Sequence, residues 1–372
     1  MKVALVHDWL TGMRGGERVL EVLCELFPQA PLYTLFHFPG TTSQVIENRP
    51  IFTSFLQKLP GIRKYYRYTY PLMPIAIETF DLASYDLVIS TSNRIAKGVL
   101  IAPHTCHISY IHTPMRDAWE MSSEYFGKKQ MSWWKRIMIP PQLTYLRLWD
   151  QLSTARVNYL IANSENVKER IQHIYKRDAA VIYPPVDVKK YLKEEKVEKK
   201  DFYFMLGSFE PNKRIPLAIE AFNKLGFPLK IVSGTGRGHE KVLQSAEKNI
   251  EFLGWRSDSE VAQLFAQAKA FIFPGIDDFG IAPLEAQAAG TPVIAFAQGG
   301  ALETVIDGIT GVFFHEPTSD SLAEAVRKAD QINWDHSKLQ ENAQRFNRDR
   351  FKQEVESFIN EKYEEYKKKM TN

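Results

Sequence analysis

The chain has 372 residues with 47 Lys and Arg against 44 Asp and Glu, and its net charge of +3 is too small to argue for a nucleic-acid partner. With 44% hydrophobic and 24% charged residues the composition is that of an ordinary globular protein, and at roughly 150 residues per domain the length predicts two domains. Cys24 and Cys106 are far apart, which excludes a disulfide framework or zinc-ligand pattern and fits a reducing, cytoplasmic setting.

An apolar strand at residues 2–7 follows the first residue directly, so no signal peptide is expected, and no apolar run nears the roughly 18 residues of a membrane span. The strand ends at Asp8. A loop with Gly12, Gly15 and Gly16 leads into a helix at 17–27, whose Val19, Leu20, Leu23 and Leu26 form one stripe. Apolar runs at 32–36, 86–90, 108–111, 159–162 and 180–183 predict further strands with helices between them, the pattern of a doubly wound, mostly parallel sheet. Ligands bind beyond the carboxyl ends of such strands, which selects Asp8, Gly15, Gly16 and His112.

Tyr183-Pro184-Pro185-Val186-Asp187 breaks the alternation and sets a domain boundary after residue 186. Strands then recur at 202–206, 229–233, 250–253 and 271–273, with helices at 215–225, 240–248 and 258–268. After residue 273 come Pro274-Gly275, Asp277 and Asp278, a Phe279-Gly280 step, Pro283 near the first turn of a helix, and Glu285. Gly290 closes that helix and another strand starts at 291–295. Such a strand, acidic turn and helix N-terminus hold a phosphate on backbone N–H groups and sugar hydroxyls on carboxylates. The chain is expected to be helical from about 319 to 369, ending in an exposed, charged helix. The fold class is α/β: two Rossmann-like domains facing a cleft, residues 1–186 and 187–349, with residues 350–372 a C-terminal helix packing back on the first. The charge divides unevenly, about +6 over residues 1–186 and about −3 over the rest.

Several motifs in this order resemble the retaining group 1 (family 4) glycosyltransferases of GT-B fold. In that family two glutamates separated by seven residues line the nucleotide-sugar site; here Glu285 is the second, and Asp277, with Asp278 beside it, stands at the first. Gly207-Ser208-Phe209-Glu210-Pro211-Asn212-Lys213-Arg214 is similar to the family's diphosphate loop, with Ser208 where an arginine is usual and Lys213 matching the lysine. Asn249-Ile250-Glu251-Phe252-Leu253-Gly254-Trp255 looks like the segment whose backbone reads the base. Gly15-Gly16-Glu17-Arg18 looks like the glycine loop, and Tyr110-Ile111-His112-Thr113-Pro114-Met115-Arg116 like the active-site histidine segment of mannosyl- and related transferases in bacterial surface-polysaccharide assembly.

The resemblance implies a metal-independent hexosyltransferase without a cofactor. Its donor is a nucleoside-diphosphate sugar, GDP-mannose preferred, bound by the second domain. Its acceptor is a glycan or polyprenyl-diphosphate-linked sugar, bound by the first. Catalytic roles fall to His112, Lys213, Asp277 and Glu285. Substrate contacts fall to Asp8, Gly15, Gly16, Arg116, Ser208, Arg214, Gly234, Gly254, Trp255, Asp278, Phe279, Gly280, Ile281 and Ala282. The glycine run Gly234-Thr235-Gly236-Arg237-Gly238 reads as a loop lining the cleft, because a lone GxG is weak support for an NAD site. The alternatives are a nucleotide-sugar epimerase of the same fold and a non-catalytic nucleotide-sugar-binding protein.

Residues 57–74 interleave Lys58, Arg63, Lys64 and Arg67 with tyrosines and apolar positions, and residues 126–149 add Lys128, Lys129, Trp133, Trp134, Lys135, Arg136 and Trp149. Bases among aromatics suit the inner face of an anionic membrane; aromatics packed within the first domain account for them equally well.

Overall fold

The computed structural model of the protein describes residues 1–120, 133–192, 197–234 and 239–371, and divides the chain into two compact units, Met1–Pro184 with Phe351–Asn372, and Pro185–Arg350. Lys128, Lys129, Thr235, Gly236, Arg237 and Gly238 lie outside the described residues, and Trp133, Trp134, Lys135 and Arg136 are described only as helical backbone.

The first unit is built on a parallel sheet of β1 (Val3–His7), β2 (Leu32–Thr34), β3 (Ile51–Thr53), β4 (Leu87–Ser92), β5 (Cys106–Ile111), β6 (Tyr159–Ala162) and β7 (Ala180–Val181), in the order β3-β2-β1-β4-β5-β6-β7. β4 and β5 are buried at every position, as continuous apolar runs covered on both faces should be. The strand order reverses between β1 and β4, so the loops after these two strands flank a topological switch point.

Helix α1 (Gly15–Leu26) starts two residues before the expected position, because the Glu17 carboxylate accepts the Arg14 backbone N–H at 3.0 Å and closes the first turn around Gly15 and Gly16. Helix α2 (Trp133–Ala155) buries Leu143, Leu146 and Trp149 against the unit. Trp149 donates to Glu78 Oε1 at 2.9 Å, and a Cβ on Gly98 would lie 2.2 Å from its ring, a close approach only glycine permits. The Lys97 ammonium and Asp150 carboxylate, both buried, form an ion pair, and Trp119 Nε1 (2.8 Å) and the Tyr175 hydroxyl (2.7 Å) also donate to Asp150.

The second unit carries a parallel sheet of β8 (Tyr203–Leu206), β9 (Leu229–Val232), β10 (Ile250–Gly254), β11 (Phe271–Phe273), β12 (Val293–Phe296) and β13 (Gly311–Phe314), ordered β10-β9-β8-β11-β12-β13. Its switch point lies between β8 and β11. Helices α3 (Ile215–Leu225), α4 (Ile281–Ala288), α5 (Ser319–Asp330) and α6 (His336–Gln344) belong to the same unit. Edge strands β3 and β13, of three and four residues, are not among the strands expected from the sequence.

The stretch expected to be helical over 319–369 is three helices: α5, α6, begun by Asp335 accepting the Ser337 N–H at 3.0 Å, and α7 (Arg348–Thr371). The charge content of α7 suggests an exposed helix, yet Phe351, Val355 and Ile359, four residues apart, are buried in one cluster with Leu5, Val19, Leu23 and Ile108 of the first unit.

Candidate active site

In the second unit, Gly275 just after β11 lies against the loop that follows β8. A Cβ there would sit 2.6 Å from the Asn212 carbonyl oxygen, which accepts the Ile276 N–H at 2.9 Å. This approach brings Lys213 to Asp277: Nζ lies 2.5 Å from Oδ2, while Asn212 Nδ2 donates to Oδ1 at 3.2 Å. Both charged side chains are only partly covered, 25% and 20% exposed. The pair sits at the β8/β11 switch point, where an open parallel sheet takes its ligand.

From the other side, the β12 loop meets the same turn. Gly300 N–H donates to the Asp277 carbonyl at 2.9 Å, a Cβ on Gly300 would lie 2.2 Å from the Phe279 carbonyl oxygen, and one on Gly299 would lie 2.7 Å from that of Asp277. These two glycines, with Asn212 and Tyr191, are site residues that sequence reasoning missed; the Gly299-Gly300 pair after a strand is a signal that could have found two of them.

Gly280, with φ of +87°, turns the chain into α4, whose first residues Ile281 and Ala282 present backbone N–H groups without intrahelical acceptors. One turn on, Glu285 accepts the Tyr191 hydroxyl at 2.9 Å on Oε1. Arg214 adopts φ of +50° ahead of α3 and places its guanidinium 4.5 Å from the Phe296 ring centroid at the end of β12. Such a left-handed non-glycine conformation costs on the order of 1 kcal/mol or more and persists only where the surroundings impose it.

The Phe279 side chain is 3% exposed and packs edge-on to Phe346 with centroids 5.6 Å apart, so it anchors the turn from within and leaves any substrate contact at this position to the backbone. Ser208 is exposed on the β8 loop, Gly234 follows β9, Gly254 is the last residue of edge strand β10, and Trp255 just after it is 79% exposed. Asp278 is half-buried beside Asp277.

In the first unit the corresponding place is the β1/β4 switch point. His112 follows β5 and is 7% exposed. Its Nε2 has no hydrogen-bond partner among the described residues and lies 3.5 Å from where a Cβ on Gly16 would be; Asn93 Nδ2 and His7 Cε1 border the same point at 3.3 and 3.6 Å. Burial, aided by neighbouring His7, pushes the His112 pKa down to about 3, so the ring is neutral at physiological pH. Here Gly15 and Gly16, at the N-terminus of α1, and His112 are brought together.

Asp8, expected among the substrate contacts, is a correction. It is 1% exposed, and its two oxygens accept four backbone N–H groups, those of Asn93 (2.7 Å), Arg94 (2.9 Å), Ile95 (2.8 Å) and Ala96 (2.6 Å). It therefore fixes the loop after β4 instead of meeting a ligand. Arg94 continues that support, pairing with Asp117 at 2.5 Å and donating to the Tyr70 hydroxyl at 2.8 Å, which ties the segment holding His112 and half-buried Arg116 to the same loop.

Residues 188–346, which contain the whole Lys213–Asp277–Glu285 arrangement, match the family model described as "Glycosyl transferases group 1". The second unit is a group 1 glycosyltransferase domain. The chain is 30% identical over 187 residues to an uncharacterized glycosyltransferase, MJ1178 of Methanocaldococcus jannaschii, covering 48% of this chain and 52% of that one. It is 26% identical over 231 residues to the O-antigen chain mannosyltransferase RfbU of Salmonella typhimurium, covering 59% and 64%. The chain thus spans between about half and two thirds of these curated relatives. Among solved structures, Anabaena HepE in complex with UDP and glucose superposes with a TM-score of 0.69 at 19% identity, over 97% of this chain and 99% of that one. That likeness shows the fold: two parallel-sheet α/β domains, as in GT-B glycosyltransferases. Within the group 1 domain, the sheet's switch point and the residues at it belong to one segment, 207–300, plus Tyr191.

Proposed function

We propose that the protein is a retaining, metal-independent hexosyltransferase. It would move a hexose from a nucleoside-diphosphate sugar, GDP-mannose preferred, to a glycan or polyprenyl-diphosphate-linked acceptor in cell-surface polysaccharide synthesis. The observation that carries this reading is the convergence of Lys213, Asp277 and the α4 N-terminus at the switch point of a group 1 domain. Lys213 and the first N–H groups of α4 neutralise the departing diphosphate, the largest electrostatic need of the reaction. Glu285 accepts hydrogen bonds from ribose hydroxyls, and Asp277 from a sugar hydroxyl. The C1–O bond to the diphosphate breaks, the bond from C1 to the acceptor oxygen forms on the same face, and the acceptor proton passes to the leaving phosphate oxygen. Neutral His112, with Nε2 unengaged, orients a hexose hydroxyl and does not act as the base.

The preference for mannose is supported by the mannosyltransferase name of RfbU, while HepE was solved with UDP and glucose. Turnover against GDP- and UDP-sugars with lipid-linked acceptors, reading which nucleotide is released, tests both class and donor. GDP release from GDP-mannose only in the presence of acceptor supports the proposal. An altered sugar without acceptor would indicate an epimerase, and binding without turnover a non-catalytic protein.

The reading places the protein in the cytoplasm, against the inner face of an anionic membrane that presents the acceptor. Cys24 and Cys106 are free and buried, which suits a reducing compartment, and among the described residues no helix is long and apolar enough to cross a membrane. Residues 48–77 contain no Asp or Glu but carry Lys58, Arg63, Lys64 and Arg67, none of them in an ion pair among the described residues. In the same stretch Phe52, Phe55, Tyr65, Tyr68, Leu72 and Ile75 are exposed. On α2, Ile137, Met138, Tyr145, Leu148 and Leu152 are exposed while Leu143, Leu146 and Trp149 are buried, so the helix carries apolar side chains well beyond its buried stripe. Cations without carboxylates attract anionic lipid and repel a second copy of the same face. Sedimentation with phosphatidylglycerol vesicles at low salt, weakened by high salt and absent with phosphatidylcholine, is expected; failure to sediment with either at low salt would exclude the contact.

A further inference from the structure

Tyr191 lies on a single turn of helix, Val188–Tyr191, just inside the start of the second unit, and the sequence offers no reason to connect it with chemistry at residue 285. It is 4% exposed, its ring packs edge-on to Phe265 with centroids 5.9 Å apart, and its hydroxyl donates to Glu285 Oε1 at 2.9 Å. The segment that carries it is itself fixed: Val186 N–H donates to the Phe346 carbonyl at 3.0 Å, so the two stretches by which the chain enters and leaves the second unit are bonded to each other. Both stretches touch the candidate donor site within this unit, Tyr191 through Glu285 and Phe346 through the Phe279 ring.

We propose that Tyr191 is a positioning residue that sets the orientation of the Glu285 carboxylate, so that ribose hydroxyls meet a pre-aligned acceptor. The inference rests on the assignment of Glu285 to the donor ribose. A carboxylate on a helix has a broad terminal torsion and, left to itself, would lose freedom on binding. A buried phenol on a rigid ring removes that freedom beforehand. The same bond ties donor occupancy to the segment through which the chain enters the unit, and such coupling acts equally in both directions.

The test uses ribose recognition as its readout. The full chain is titrated calorimetrically with GDP and UDP, and with their 2′,3′-dideoxy counterparts. Wild type should prefer the ribose form by about tenfold or more, and Glu285→Ala should abolish the preference. Tyr191→Phe, nearly isosteric, should lower the preference by about fivefold, the worth of one hydrogen bond. Phe265→Leu perturbs the packing of the Tyr191 ring without removing its hydroxyl and should keep the wild-type preference, which separates positioning from general loosening. Loss of the preference in Glu285→Ala with full retention in Tyr191→Phe overturns the inference and leaves the donor-site reading standing. An unchanged preference in Glu285→Ala removes that reading, and this inference with it.

Discussion

Lys213 Nζ lies 2.5 Å from Asp277 Oδ2, so the cation assigned to the donor diphosphate is already engaged by the carboxylate assigned to the donor sugar. The two functions compete for one ammonium. A diphosphate that draws Lys213 away leaves Asp277 held by Asn212 Nδ2, at 3.2 Å, and able to accept from a sugar hydroxyl.

Asp277→Asn is therefore expected to act in opposite directions on two observables. Free nucleoside diphosphate should bind severalfold more tightly, because Lys213 no longer has a carboxylate to leave. The kcat/KM for the sugar donor should fall by about 10²-fold, the usual cost of removing a group that stabilises the transition state. Calorimetry and initial rates on the same variant check the pair of effects.

Gly300→Ala places a Cβ 2.2 Å from the Phe279 carbonyl oxygen, an overlap with backbone that no rotamer relieves. The expected cost is about 2–3 kcal/mol, read as a melting-temperature fall of roughly 5–10 °C. Donor binding should fall with it, because the turn carrying Asp277 must shift. Gly308→Ala, where the same atom meets open space but φ is +70°, gives a comparison in which only backbone strain operates.

Asp150→Ala leaves the Lys97 ammonium buried without its counter-charge and removes the acceptor of Trp119 and Tyr175. Breaking such a pair from one side costs about 3–5 kcal/mol, whereas replacing both charges with apolar side chains costs much less. Lys97→Met combined with Asp150→Leu should accordingly recover part of the denaturant midpoint lost by Asp150→Ala.

Two histidines set a pH dependence of stability. Burial pushes the pKa of His107, aided by the Arg156 and Arg177 charges, and that of His112 down from 6.5 to about 3. Between these values the unfolded chain binds protons that the folded chain does not. Their contribution is complete above about pH 6.5 and is lost as pH falls toward 3. The urea midpoint should drop between pH 7.5 and pH 5, and His107→Gln should drop less than wild type.

Much of the architecture is legible in the sequence because it is periodic. Continuous apolar runs mark the strands that are buried on both faces, and Phe271–Phe273 followed by Pro274-Gly275 marks the strand end at which Asp277 sits. The edge strands β3 and β13 are not read from the sequence. At the sites, what is local is readable: Gly280 as a turn, the start of α4, and His112 after β5. What depends on distant partners is not. Asp8 ends β1 in a position suited to a ligand, but its four donors come from residues 93–96, across the sheet switch. Tyr191 reaches Glu285 over 94 residues, and the need for glycine at 300 appears only when the Phe279 carbonyl is brought against it.

The proposed transfer of a sugar by the group 1 domain through Lys213 and Glu285 is tested by acceptor-dependent release of nucleoside diphosphate by wild type, Lys213→Ala and Glu285→Ala. Release by wild type and a loss of about 10²-fold or more in each variant are expected; wild-type rates in both variants would rule the proposal out.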